Sequence, residues 1–147
     1  MIQVRIANQQ NAWSPDFDRI RLVARTVLDG EKVASAKVTI ALVDNATIHR
    51  LNKQFLDHDE PTDVLAFPYS SPKSRILEGE LAIGVEVAQA QAQERGHDIS
   101  CEISLYLIHG LLHLCGYDDH DDDDLLAMRD RERHYLRRLQ LPDIAGE

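Results

Sequence analysis

The sequence predicts an α+β fold: a central mixed sheet of about four strands, packed with about five helices, with a metal site on a central helix. Three observations carry this expectation. The chain has 147 residues, which fits a single domain spanning 1–147. Four short strand-like runs are separated by five segments of helical periodicity, an alternation that sets helices against one sheet. One helical segment is apolar on nearly every side yet carries two histidines four residues apart.

The elements follow in order. Residues 2–7 alternate apolar and polar and read as a strand. Ser14 is expected to cap the first helix, with Pro15 at its first position. Phe17, Ile20, Val23, Ala24 and Val27 recur at helical spacing, and Gly30 reads as the stop. Residues 38–43 form a second strand, and Asp44 caps a short helix through Ile48, Leu51 and Phe55. Val64 to Phe67 is a short strand ended by Pro68. Residues 70–74, rich in serine and proline, make the clearest loop. Glu80 to Glu86 alternates as a strand, and Val87 to Arg95 is a helix stopped by Gly96. Asp98 or Ser100 opens the helix that runs to about Cys115, and a last helix covers 123–139.

Composition excludes several classes. No apolar run approaches the eighteen or so residues of a membrane span. The N-terminus lacks the apolar stretch and cleavage site of a signal peptide, so a cytoplasmic protein without a membrane partner is expected. Cys101 and Cys115 on one helix would stand about 21 Å apart and could not pair. The net charge of −9 is unlike that of a generic nucleic-acid binder, which is usually basic. The charge is unevenly spread. Residues 1–75 hold ten Lys/Arg against nine Asp/Glu, whereas residues 76–147 hold six against sixteen. An RNA partner would therefore meet the N-terminal half or the arginine-rich last helix, and a divalent cation would offset part of the acidic half.

The chemistry concentrates in residues 109–120. Four residues advance a helix by about 400°, so His109 and His113 project from one face, about 6 Å apart along the axis. That spacing lets two imidazoles reach one ion. Histidine pairs of this kind are common on solvated faces, but here the flanking residues are Ile103, Leu105, Leu107, Ile108, Leu111, Leu112 and Leu114. Gly116 suits the left-handed residue that ends a helix, after which the chain can double back with a third ligand. Cys115 lies about 200° around the helix from His113 and reads as a buried small hydrophobe. The aspartates 121–124 read as solvated loop and helix start.

From His109 through Asp118 the segment resembles the His-Gly-x-Leu-His-Leu-x-Gly-Tyr-Asp pattern of the YbeY-type endoribonucleases, also described as rRNA maturation factors. The resemblance extends to Leu51-Asn52, to residues 59–68 (Asp-Glu-Pro-Thr-Asp-Val-Leu-Ala-Phe-Pro) and to Gly79-Glu80-Leu81-Ala82-Ile83. It implies one α+β domain with a metzincin-like zinc site. It further implies cleavage of single-stranded RNA, a role in small-subunit (16S) rRNA 3′-end maturation and ribosome quality control, and the small ribosomal subunit and its proteins as partners.

Two departures bear on the site. The family's third histidine falls ten residues after the first, where this chain has Asp119; His120 comes one residue late. Keeping the register makes Asp119 the third ligand, and a one-residue insertion would make it His120. Both residue types bind zinc. The family arginine expected at position 56 is Leu56, so a phosphate-contacting role would pass to His58, Arg50 or Lys53.

Three protein ligands leave an open position suited to hydrolysis. Zinc proteases of this helix geometry carry a glutamate directly after the first histidine. Here Gly110 stands there, which counts against peptide hydrolysis. The residues expected to act in catalysis are His113, Glu80 and His58, with Asp63 and Glu102 as further possible bases. The rival reading is a non-enzymatic ribosome-assembly factor with a structural metal, and a metalloprotease-like hydrolase is the remotest.

Overall fold

In the computed structural model, residues 1–71 and 73–145 are described. Among them, β1 (Ile2–Gln9), α1 (Phe17–Gly30), β2 (Ala36–Val43), α2 (Asn45–Leu56), β3 (Val64–Pro68), β4 (Leu77–Gly84), α3 (Val85–Arg95), α4 (Ile99–Leu114) and α5 (Asp122–Arg138) follow along the chain. The strands form one sheet in the order β1-β2-β4-β3. β1, β2 and β4 run parallel, and β3 pairs antiparallel to β4 at the edge. The fold is thus the expected α+β arrangement with a mixed sheet.

Side-chain alternation along the strands gives the sheet two faces. Val4, Val38, Ile40, Leu42, Leu81 and Ile83 belong to the main core with α1, α3, α4 and α5. Ala41, Val43, Leu65 and Ala82 lie on the other face, where Ile48 of α2 packs on them. The last four residues of β4 are all buried, because parallel strands here are covered on both sides.

Several boundaries differ from those read in the sequence; β1 runs on to Gln9 and β2 starts at Ala36. Helix α1 is capped by Asp16, whose side chain accepts from the Arg19 N–H at 3.1 Å. Ser14 precedes a proline, which favours extended backbone and moves the helix start past Pro15. Gly30 is the last residue of α1 rather than its left-handed stop; that conformation falls on Lys32, φ 61°. What requires glycine at 30 is Tyr135 of α5, because a Cβ there would meet the Tyr135 ring Cε1 at 2.5 Å. Strand β4 starts at Leu77 and stops at Gly84, so α3 begins at Val85 rather than Val87. The short polar side chains of the other caps behave as expected: Asp44 accepts from Thr47, Asp98 from Ser100, and Asp121 from Asp124. Gly96 and Gly116 have φ of 74° and 105°, so Gly116 takes the left-handed backbone assigned to it and Gly96 ends its helix in the same way. Both cysteines are free thiols, and burial pushes that of Cys115 up to about 11.

Candidate metal centre

Helix α4 is buried along almost its whole length because it lies between the sheet and three other helices. It sits close to the sheet because Gly110 has no side chain. A Cβ there would stand 2.9 Å from Leu81 Cδ2 and 3.1 Å from Val64 Cγ2. The residue next to His109 therefore faces the sheet, where a glutamate has no room. Leu111 and Leu112 are fully buried, whereas the His109 and His113 side chains keep 18% and 27% of their surface. From Glu102 to Leu114 the two histidines are the residues of the helix that reach solvent.

The helix ends in a Schellman turn: Gly116 N–H donates to the His113 carbonyl and Tyr117 N–H to the Leu112 carbonyl, each at 3.0 Å. This reversal carries Asp119 back over the histidines. His109 Nε2 and His113 Nε2 face each other at 3.1 Å. Asp119 Oδ2 lies 3.7 Å from the first and 3.6 Å from the second. His120 does not join them. Its side chain is 84% exposed, with Nε2 3.2 Å from Asp118 Oδ1.

Behind His109 stands a residue the sequence reading did not single out. Glu132 of α5 is fully buried, and its Oε2 lies 3.2 Å from His109 Nδ1. A carboxylate can only accept, so Nδ1 carries the proton and Nε2 presents a lone pair. Arg129 Nη1 holds the two oxygens of Glu132 at 2.6 and 3.1 Å. Burial, reinforced by neighbouring His109 and opposed by Asp119, lowers the His113 pKa, which favours the neutral ring. Two facing imidazole nitrogens with a carboxylate oxygen beside them form an N2O donor set suited to one divalent ion. The outer carboxylate that orients the first histidine is the usual support of such a set. The residues present fit a metal.

The other residues singled out in the sequence fall in different places. Glu80 alternates with Leu81, whose side chain faces Gly110, so Glu80 is on the sheet face away from α4. There it accepts from the Tyr69 hydroxyl at 2.9 Å. His58 is exposed in the turn after α2, and Lys53 lies 3.9 Å from Asp59. Neither they nor Arg50 line the clefts at the histidines. Glu102 is buried and paired with Arg95 at 3.0 Å and His97 at 2.7 Å. Asp63, in contrast, lines both clefts that flank His109. Its Oδ1 accepts from the Val64 N–H at 2.7 Å. Leu56 lines one of these clefts together with His113.

A family model described as Endoribonuclease YbeY matches residues 5–140. A relative of that name from Carboxydothermus hydrogenoformans is 35% identical, over 92% of this chain and 96% of its own length. Another, from Pelotomaculum thermopropionicum, is 37% identical over 94% of this chain and 97% of its own length. The fold is similar to that of a Thermotoga maritima protein solved in solution, with a TM-score of 0.65 and 25% identity, covering 95% of this chain and 89% of the other.

Proposed function

The chain belongs to the YbeY family of endoribonucleases, and on that premise we propose that it is a metal-dependent endoribonuclease of single-stranded RNA. Its place is in the cytoplasm, in small-subunit rRNA 3′-end maturation and ribosome quality control, on precursors carried by the small ribosomal subunit. The whole of 1–147 acts as one catalytic domain. No helix among the described residues is long and apolar enough to cross a membrane.

One observation carries this reading: His109 Nε2, His113 Nε2 and Asp119 Oδ2 converge at an opening between clefts. We assign these three as ligands, and zinc as the ion, since a nitrogen-rich set suits it. Three converging protein donors, with His120 turned away, support an open catalytic position over a closed structural one. A bound divalent ion would supply Lewis-acid polarisation of a phosphate oxygen and make nearby water more acidic.

The chain's own groups supply the rest. Glu132 fixes the tautomer and orientation of His109. Asp63 is placed to accept the proton of the attacking water, because it lines both clefts and its Oδ2 has no hydrogen-bond partner among the described residues. It takes the role for which Glu80 and His58 are less well placed. Attack at phosphorus by that water breaks the P–O bond to the leaving ribose oxygen, which must gain a proton.

The test compares wild type with His113→Ala on single-stranded rRNA precursor, free and in small-subunit particles, with and without chelator. Cleavage by wild type alone, lost on chelation, is expected. Cleavage-dead wild type whose His113→Ala variant still supports rRNA maturation would instead favour the assembly-factor reading.

A further inference from the structure

We propose that the groove leading from His113 between the α1–β2 turn and the β3–β4 connection holds the RNA backbone beside the scissile phosphate, with Lys32 and Arg75 as its phosphate contacts. The inference rests on the functional reading above and adds to it the path of the strand.

Continuity is the first observation. The groove has a volume of 710 Å³, and His113 forms part of its wall together with the turn at Gly116. A strand with one phosphate at the histidines can therefore continue into it without leaving the surface.

Charge is the second. The chain carries a net −9, yet this groove has a single acid, Glu31. That carboxylate is already bound by the Arg131 guanidinium and the Tyr135 hydroxyl. Lys32 and Arg75 are both exposed, and neither side-chain cation has a hydrogen-bond or ion-pair partner among the described residues. The groove is thus the part of the metal cleft where two cations face solvent uncompensated. Ser71, also on its wall, has a hydroxyl with no partner among the described residues, available to a phosphate or a ribose 2′-hydroxyl.

The third observation is the backbone at Lys32. Its φ is 61°, in the turn where Lys32 N–H meets the Asp29 carbonyl and Val33 N–H the Leu28 carbonyl. Glycine or asparagine ordinarily takes such a position. A lysine there costs some backbone strain and sets a long cation at the groove's edge.

The experiment pairs Lys32→Gly/Arg75→Ala with a charge-matched control, Arg5→Ala/Lys37→Ala. Glycine at 32 suits the left-handed backbone. Arg5 and Lys37 alternate with the core residues Val4 and Val38, so they lie on the opposite sheet face. Metal-loaded proteins are assayed for steady-state cleavage of a single-stranded oligouridylate across a salt series, and for metal content. The groove variant should raise KM about tenfold and flatten the log–log salt dependence by roughly 1.4, since each single-strand phosphate contact contributes about 0.7. Its kcat and metal content should stay as in wild type, and the control should behave as wild type. A groove variant indistinguishable from the control would overturn the path while leaving the ribonuclease reading intact. Wild type that neither binds nor cleaves the oligonucleotide would overturn both.

Discussion

Replacing Glu132 by glutamine isolates the charge behind His109 from the space it fills. The buried carboxylate serves two partners: His109 Nδ1 at 3.2 Å and Arg129 Nη1 at 2.6 Å. Glutamine keeps the volume and one acceptor oxygen, but its amide nitrogen confronts a donor. Either the histidine or the arginine loses its acceptor. Loss of such an outer partner typically weakens metal affinity about 10–100-fold, which corresponds to roughly 1.4–2.7 kcal/mol. Glu132→Gln should fall toward the lower end if its carbonyl stays with His109, and Glu132→Ala toward the upper end. The assay is competition for zinc against a chromophoric chelator, with circular dichroism and a denaturation curve to verify the fold. Affinities within twofold of wild type in both folded variants would refute the reasoning. They would show that Glu132 serves only to neutralise Arg129 on α5.

Asp119→Ala should weaken zinc binding more than His120→Ala in the same assay, and the reverse order would move the third ligand one residue along the loop. Leu111→Ala and Leu112→Ala, at fully buried positions, should each lower stability by about 2–5 kcal/mol, read from the urea midpoint. Glu31 gives a pH dependence. Burial raises its pKa, but hydrogen bonds from Tyr135, Arg131 and Tyr117 outweigh that and leave it below its ordinary 4.5. A depressed folded pKa means the stabilisation is present above that ordinary value and lost as pH falls through the folded one. Wild type should therefore lose stability on acidification below about 4.5, and Glu31→Gln should show a shallower acid limb; equal limbs in denaturation curves would remove Glu31 from the account.

Much of this arrangement was legible in the sequence because it is local. The period of α4, the four-residue spacing of its histidines and the left-handed Gly116 are properties of short segments, and each took its expected form. Glu132 was equally legible in principle. It falls on the stripe Met128, Glu132, Tyr135, Leu136, all buried, and an acid at an apolar-stripe position signals a buried partner. The register favoured Asp119 over His120, but the sequence alone could not fix which of them the loop brings back, since that depends on how far the turn after Gly116 winds before α5 begins. The side of the sheet taken by Glu80 was hidden for another reason. Alternation sets Glu80 opposite Leu81, but only tertiary packing decides that α4 lies on the Leu81 side. The start of α1 was missed because serine and aspartate cap equally well, and Pro15 decided between them.

The bare backbone at Gly30 has a reach that its position does not suggest. It lets the Tyr135 ring lie against the end of α1, and Tyr135 shares α5 with Glu132. The seating depth of α5 therefore also sets where the Glu132 carboxylate meets His109. A methyl group at position 30 would act as a shim under that helix, tilting the imidazole from a site it never touches. The tolerance to which the candidate metal centre is machined is set partly at a residue with no side chain, at the far end of another helix.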